Sequence, residues 1–253
     1  MVTVTIVSHG HGEMVAGLIK DLFRCPQVTQ ILLTQNIPET SREKFPGKVK
    51  VWTNPTPRGY GANHNAAFQS CRTPFFCVMN PDIRIPRNPF PALTRAMKDP
   101  GVAVCAPKIV SPAGLEEDSH RQFPDIVSLL GKAFGGGDGK VPLGQGRSWE
   151  RNSWLGGMFL FLWSEAFRKV GGFDEKFFLY YEDVDLCARL IRQGGRVKKV
   201  ASVSVVHDAR RQSRRSITFA SWHGCSLARY LGKRWAGSYR PLSKKGAATK
   251  SRR

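Results

Sequence analysis

Asp82 lies where a carboxylate could take part in metal chemistry. It closes the triplet Asn80-Pro81-Asp82, which directly follows the apolar run at residues 74–79. A carboxylate fixed by proline at the end of a buried strand can hold a divalent cation, which in turn can neutralise a diphosphate leaving group. The same triplet is also common turn chemistry. From these residues alone, both interpretations stay open.

A second group of acids, Glu182, Asp183 and Asp185, follows two tyrosines at the start of a predicted helix over residues 182–193. Carboxylates at this position cap free amides and meet the positive end of the helix dipole. Because one or two acids would suffice for capping, a second interpretation is a general base that takes a proton from an attacking hydroxyl. The pattern does not decide between them.

His207 ends the apolar run at residues 197–206. A histidine at the end of such a strand is often a structural residue whose hydrogen bonds are satisfied. If it meets Asp82, the imidazole and the carboxylate together make a partial shell suited to manganese or magnesium.

A glycine-containing segment, residues 54–65, includes Arg58, Gly59 and Asn65. Glycines before a helix can bring backbone amides close to a phosphate, and an arginine adds positive charge. The segment matches neither the dinucleotide fingerprint nor a Walker loop. It is either a plain loop or a phosphate-binding turn.

Strands that alternate with helices must position these residues. The pattern predicts a doubly wound α/β sheet whose ligands bind at the carboxyl ends of the strands. Residues 107–149, rich in Gly and Pro, predict a mobile loop with a hypothetical lid near Gly135. The predicted strands are residues 2–8, 30–34, 49–53, 74–79 and 197–206, and the predicted helices are residues 13–23, 65–71, 182–193 and 216–235.

Charge and cysteine content narrow the class of protein. The formal net charge is +20, and thirteen Lys and Arg but no acid follow Asp208. Such a region attracts anionic surfaces, either nucleic acid or acidic phospholipid. The six cysteines are scattered singly and predict reduced, buried thiols in a cytoplasmic protein. The N-terminus lacks the pattern of a signal peptide, and no apolar run is long enough to span a bilayer.

Taken in order, five segments resemble the inverting GT-A glycosyltransferases of family two, in particular the rhamnosyltransferase-like branch. The most specific segment is Gly171-Gly-Phe-Asp-Glu-Lys-Phe-Phe-Leu-Tyr-Tyr-Glu-Asp-Val-Asp-Leu186, and the others are residues 4–8, 58–65, 79–83 and 154–159. The resemblance implies an α/β, Rossmann-like nucleotide-diphospho-sugar transferase fold over residues 1–235, with a mainly parallel central sheet flanked by helices. Residues 236–253 then form a basic, disordered tail.

The resemblance also implies roles for individual residues. Asp183, with Glu182 beside it, would be the catalytic base, and Asp82 and His207 would bind Mn²⁺ or Mg²⁺. The acceptor would face Trp154, Gly156 and Gly157. The residues expected to bind the nucleotide sugar are Ser8, Asn36, Arg58, Gly59, Asn65, Asn80 and Asp82.

The implied reaction moves a sugar, with rhamnose on deoxythymidine diphosphate as one candidate, onto a glycan or lipid-linked acceptor in bacterial surface polysaccharide synthesis. The basic C-terminus would contact an anionic membrane at the inner face of the inner membrane. Gln35 stands where the family usually has an aspartate, which keeps a non-catalytic sugar-nucleotide-binding protein as an alternative. A nucleic-acid-binding protein is the alternative that the charge suggests, although no recognition module is visible.

Overall fold

A computed structural model of the chain describes residues 1–39, 45–124, 151–208 and 217–239. In these ranges the strands are β1 (Val2–Ser8), β2 (Val28–Gln35), β3 (Val49–Thr53), β4 (Phe75–Met79), β5 (Ile83–Arg84), β6 (Val102–Val110), β7 (His120–Gln122), β8 (Ser153–Leu155), β9 (Phe159–Trp163) and β10 (Arg196–His207). The helices are α1 (Gly12–Phe23), α2 (Tyr60–Phe68), α3 (Phe90–Met97), α4 (Ser164–Lys169), α5 (Glu182–Arg192) and α6 (Ile217–Trp235).

Eight strands form one sheet in the order β3-β2-β1-β4-β9-β6-β10-β5. The pairs β1–β2, β2–β3, β1–β4 and β6–β10 are parallel, whereas β9 runs antiparallel to both of its neighbours. Strands β7 and β8 form a separate antiparallel pair. The predicted α/β class with a mainly parallel central sheet is therefore confirmed.

Alternating side chains of the buried strands divide the core between the two faces of the sheet. In β9, Phe159 and Phe161 pack on one face with helices α1 and α3, where Leu18 and Phe90 are fully buried. Leu160 and Leu162 pack on the other face, against α2, α4 and α5. Since both faces of this sheet are covered, its strands consist largely of apolar residues.

The prediction of a loop over residues 107–149 is wrong at two places, β6 and β7. Strand β6 continues through Pro107, which lies opposite Val200, and the register of β10 then shifts so that Ser204 lies opposite Lys108. Proline cannot donate to the ladder, so a bulge at this point is the expected accommodation. The hypothetical lid at Gly135 lies outside the described residues.

The last described helix, α6, is held against the body of the protein. Tyr230 is fully buried, and the Ser226 hydroxyl donates to the carbonyl of Leu179 at 2.8 Å. The first four residues of the predicted tail form a turn in which the Tyr239 hydroxyl donates to Asp185 at 2.6 Å. Residues 240–253 lie outside the described ranges.

The six cysteines are all free, and five are buried as predicted. The prediction is wrong for Cys225, which is exposed on α6. Of the helices within the described ranges, none combines the length and the apolar character needed to cross a bilayer.

Candidate active site at the carboxyl edge of the sheet

The predicted site residues gather at the edge where β1, β2 and β4 end. From β1 the chain proceeds to β2 and β3 on one side, and the connection from β3 then returns it to β4 on the other side of β1. A crevice at such a switch point is the usual place for a ligand in an open α/β sheet. The order of the strands therefore brings the turns after Ser8, Gln35 and Met79 to one rim.

On one side of this rim, the side chains of Asn36, Asn54 and Asn63 form hydrogen bonds with one another. The Asn36 carbonyl oxygen accepts hydrogen bonds from Asn54 Nδ2 at 2.9 Å, from Asn63 Nδ2 at 3.0 Å and from the backbone amide of Arg58 at 2.8 Å. Asn36 Nδ2 donates to the Arg58 carbonyl at 2.9 Å. Asn36 thus holds the loop at residues 54–59 in place, and sequence reasoning assigned no role to Asn63, which is fully buried.

Three further residues from the predicted nucleotide set form protein contacts. Ser8 is fully buried, and its hydroxyl accepts from the backbone amide of His11 at 3.2 Å. Gly59 precedes α2, and a Cβ atom there would lie 2.9 Å from the carbonyl oxygen of Phe178. Asn65 forms a reciprocal pair with the backbone of Phe173, with both hydrogen bonds at 2.9 Å.

Arg58 keeps its charged group accessible at the same rim. Its side chain is 46% exposed, and Nη2 lies 3.9 Å from an oxygen of Glu175, which is itself 52% exposed. A pair this exposed contributes little to stability. The guanidinium is therefore able to exchange Glu175 for an anionic ligand.

The turn after β4 is tied to two other parts of the rim. The backbone amide of Asn80 donates to the Met158 carbonyl at 2.9 Å. The buried Tyr60 hydroxyl lies 3.0 Å from Asn80 Oδ1 and 2.8 Å from the Gly157 carbonyl oxygen. Asn80 Oδ1 thus accepts a hydrogen bond from Tyr60. Sequence reasoning gave no role to Tyr60.

The structure brings Asp82 and His207 together, as the metal hypothesis requires. His207 Nε2 lies 3.3 Å from Asp82 Oδ2, and β10 pairs with β5 so that His207 lies opposite Ile83. Glu117, which the sequence analysis did not single out, lies 2.6 Å from Nδ1 of His207. Burial lowers the pKa of His207, but the two carboxylates outweigh this effect and raise it to about 9.

Asp82 has the properties expected of a cation ligand. Its Oδ1 atom is buried and has no hydrogen-bond partner in the part of the chain that the structure describes. No group of three or more His, Cys, Asp or Glu side chains within those ranges has a geometry that could hold a metal ion. Asp82 and His207 are the residues that could hold a divalent cation at this rim.

The second group of acids, Glu182, Asp183 and Asp185, directly follows a turn with a strained backbone. Tyr180 and Tyr181 adopt left-handed backbone conformations, with φ of 69° and 64°. Non-glycine residues in this region cost on the order of 1–3 kcal/mol each and persist where the surroundings hold them. Helix α6 provides such support, because both tyrosine rings lie 5.3 Å from the ring of His223.

Asp183 is the acid that remains half-exposed at this turn. Its carboxylate accepts from the backbone amide of Gly157 at 2.7 Å and from that of Val184 at 2.8 Å. Burial raises the pKa of Asp183, and these two hydrogen bonds lower it, with a net value of about 6. Asp183 is therefore mostly ionised at neutral pH and is able to accept a proton.

Glu182 and Asp185 have different surroundings. Glu182 is buried, its Oε2 atom has no partner among the described residues, and burial followed by the charge of Asp183 raises its pKa well above the usual range. Asp185 is fully buried and binds Arg189 at 2.6 Å, together with Lys233 and Tyr239. The third acid therefore anchors α6 to α5.

Of the three residues predicted to face the acceptor, Gly157 contacts Asp183 directly. Trp154 is half-buried, and its indole nitrogen donates to the Gln122 carbonyl at 3.1 Å. The backbone amide of Gly156 donates to the Ser119 carbonyl at 2.9 Å. A Cβ atom at Gly157 would lie 3.4 Å from the Asp183 carboxylate, so this glycine allows the carboxylate to approach the backbone closely.

Two family models match the sequence. One is described as glycosyl transferase family 2 and matches residues 34–162, just over half of the chain. The other is described as the N-terminal domain of galactosyltransferase and matches residues 147–211. Together they cover the rim residues from Asn36 to His207.

Curated relatives carry names from sugar transfer. Rhamnosyltransferase WbbL from Escherichia coli K12 is 25% identical over 92% of this chain and 94% of its own length. An N-acetylglucosaminyl-diphospho-decaprenol L-rhamnosyltransferase from Mycobacterium tuberculosis is 32% identical over 64% of this chain and 56% of its own. A pre-mycofactocin glycosyltransferase from the same species is 31% identical over 71% of this chain, which spans only 36% of that relative.

Solved structures share the fold at low identity. A mannosyltransferase from Pyrobaculum calidifontis, in complex with GDP-Man and Mn²⁺, has a TM-score of 0.59 at 13% identity, over 94% of this chain and 64% of that one. GalNAc-T7 with UDP, GalNAc and Mn²⁺ has a TM-score of 0.68 at 15% identity, over 94% and 49%. These likenesses confirm the predicted GT-A fold.

Proposed function

The chain belongs to glycosyl transferase family 2, and on that premise we propose that it transfers a sugar with inversion from a nucleoside-diphosphate donor to an acceptor hydroxyl, with Asp183 as the general base. The observation that carries this proposal is the half-exposed Asp183 carboxylate, held by the amides of Gly157 and Val184 at the rim that Arg58 and Asp82 also reach.

The reaction is a single displacement. Asp183 accepts the proton of the acceptor hydroxyl as its oxygen attacks the anomeric carbon. The new C–O bond forms as the bond from that carbon to the diphosphate oxygen breaks, and the diphosphate leaves with the electron pair. No protein nucleophile is needed, and inversion follows because the acceptor oxygen and the leaving group lie on opposite faces of the sugar.

Charge on the departing diphosphate calls for cations at the rim. Asp82 and His207 would hold a Mn²⁺ or Mg²⁺ ion, which supplies positive charge to the leaving group. The Asp82 Oδ1 atom, which has no partner among the described residues, supports this assignment. Arg58 would meet the same diphosphate, since the carboxylate beside it, that of Glu175, is exposed and 3.9 Å away.

Asn36, Ser8, Gly59 and Asn65 would act on the donor indirectly. Asn36 holds the loop at residues 54–59, and Ser8 holds the turn before α1. The missing side chain of Gly59 and the amide of Asn65 set the contacts of α2 with Phe178 and Phe173. We therefore assign these four residues a scaffolding role at the nucleotide site. Contact with the donor falls to Arg58, Asn80 and Asp82.

The names of relatives support a donor and an acceptor class. Two relatives are rhamnosyltransferases, and the name of one specifies a diphospho-decaprenol acceptor. We propose rhamnose on deoxythymidine diphosphate as the donor and a lipid-linked glycan of bacterial surface polysaccharide as the acceptor. Trp154, Gly156 and Gly157, the last of which donates to Asp183, would line the acceptor side.

A lipid-linked acceptor implies contact with a membrane. The thirteen basic residues after Asp208, with no acid among them, suit the anionic inner leaflet of the inner membrane. The Trp235 side chain is 88% exposed at the end of α6, and tryptophan is favoured at membrane interfaces. We propose that the protein works at the cytoplasmic face through this region.

One experiment tests the reaction and its metal dependence together. The purified protein is incubated with a panel of nucleotide sugars and a lipid-linked acceptor, in Mn²⁺, Mg²⁺ or EDTA, and free nucleoside diphosphate is measured. We expect release from one donor, abolished by EDTA, and a product whose anomeric configuration by NMR is opposite to that of the donor. Retained configuration would overturn the single displacement, and full activity in EDTA would overturn the metal assignment.

A further inference from the structure

His207 lies between two carboxylates that approach opposite nitrogens of its ring. Asp82 is 3.3 Å from Nε2, and Glu117 is 2.6 Å from Nδ1. All three side chains are largely buried, with exposed fractions of 13% for His207, 18% for Asp82 and 22% for Glu117. Glu117 is therefore on the side of the imidazole away from Asp82.

The backbone fixes Glu117 in this position. Its amide donates to the Ile109 carbonyl at 2.9 Å, and its carbonyl accepts from the amide of Ser119 at 3.0 Å. The preceding residue, Glu116, forms a bridge with Val110 and pairs with Lys199. The two adjacent glutamates thus have different partners, and only Glu117 reaches the imidazole.

A carboxylate at Nδ1 determines which ring nitrogen can bind a cation. A cation binds Nε2 through the lone pair of that nitrogen, and the one ring proton then resides on Nδ1, where the Glu117 carboxylate can accept it in a hydrogen bond. That lone pair is directed to the side of Asp82, whose Oδ1 atom has no partner among the residues described. The opposite tautomer would place a hydrogen on Nε2 and block coordination.

We propose that Glu117 is the positioning residue for the metal site, which fixes the tautomer and the ring orientation of His207 for a divalent cation shared with Asp82. The proposal rests on the metal role assigned above to Asp82 and His207. Carboxylates that bind the far nitrogen of a histidine ligand typically change metal affinity 10- to 100-fold when removed.

The test is calorimetric titration of Mn²⁺ into the protein with a fixed excess of deoxythymidine diphosphate. We expect Glu117→Ala to weaken Mn²⁺ binding about 10- to 100-fold. Glu117→Gln keeps an acceptor oxygen for Nδ1–H and should lose less. The matched control is Glu116→Ala, from the same turn, which should bind Mn²⁺ as the wild type does.

A kinetic measurement separates positioning from structural damage. In Glu117→Ala, the Mn²⁺ concentration for half-maximal activity should rise in proportion to the loss of affinity, whereas kcat at saturating Mn²⁺ should change only a few-fold. Equal Mn²⁺ affinity in wild type, Glu117→Ala and Glu117→Gln would overturn the role of Glu117. If the wild type itself bound no Mn²⁺, the metal assignment of the proposed function would fail first.

Discussion

The two halves of the rim differ in whether their buried polar groups have hydrogen-bond partners within the described residues. On the side of Asn36 and Asn63, the amides bind one another and the loop at residues 54–59, so that the network is closed within the protein. On the acid side, Asp82 and Glu182 each keep a buried oxygen without a partner within the described chain. Buried polar groups are normally satisfied, so the open half is where a ligand is expected and the closed half is scaffold.

The same contrast occurs within one turn of α5. Asp185 is fully buried and is neutralised by Arg189 and Lys233, whereas Asp183, two residues earlier, receives only backbone amides and stays half-exposed. Identical side chains thus have different tasks because their neighbours differ. Variants at the closed positions should reduce stability, and variants at the open positions should reduce activity.

Asp185→Ala is expected to have the largest effect on stability. Removal of one partner from a buried ion pair costs about 3–5 kcal/mol, because Arg189 loses the buried carboxylate that it binds and Lys233 keeps only Asp174 among the described residues. Urea unfolding monitored by circular dichroism measures the change. Asp174→Ala, which removes the other, partly exposed carboxylate at Lys233, should cost much less, and equal losses for both variants would contradict the account.

Asn63→Ala is expected to have the second-largest effect on stability. The substitution removes the hydrogen bonds that the buried Asn63 side chain forms with Asn54, Asn36 and the Arg58 carbonyl, and each such bond contributes about 0.5–1.5 kcal/mol. The free energy of unfolding should fall by about 2–3 kcal/mol. A loss below 1 kcal/mol would show that the closed network is less important than its geometry indicates.

The pH dependence of kcat/KM tests the role of Asp183 on the open side of the rim. Because burial raises the pKa of Asp183 to about 6, kcat/KM should fall about tenfold per pH unit below pH 6, as the base becomes protonated. A flat profile between pH 5 and pH 8 at constant stability would contradict the assignment.

Glu182→Gln should have the smallest effect. Burial raises the folded-state pKa of Glu182 above the usual 4.5, so its contribution to stability is present below pH 4.5 and is lost as the pH rises towards the folded-state value. At pH 4, variant and wild type should agree within about 1 kcal/mol. At pH 8 the variant should be the more stable of the two, and a less stable variant would show that Glu182 is ionised and paired.

Much of the fold could be predicted from the sequence because β1, β4 and α5 follow simple patterns. β-Branched and aromatic runs end at Ser8 and Met79, and the helix after Tyr181 is stopped by two glycines. Strand β6 was missed, since Pro107 interrupts the pattern and only a bulge in its partner β10 accommodates it. This bulge is a feature of the tertiary structure, and the local sequence around Pro107 does not indicate it.

The site was predictable to the same degree. Asp82 and His207 could be named as possible cation ligands because each lies at the end of an apolar run, but their proximity stayed a condition until the sheet order was known. Asn36 stays a predicted nucleotide-site residue, and the hydrogen bonds by which its amide holds Arg58 and Asn63 had no signal in the sequence. Glu117 lies 90 positions from His207 in sequence, and no spacing rule connects two such residues.

The most direct test of the central claim is a comparison of Asp183→Asn with the wild type in donor-dependent release of nucleoside diphosphate, each at matched folded concentration. The variant keeps the size of the side chain and an acceptor for the Gly157 amide, but it cannot take up a proton. We predict a kcat lower by about 10²- to 10⁴-fold, with a thermal midpoint close to that of the wild type. Activity within a few-fold of the wild type would show that another group is the base.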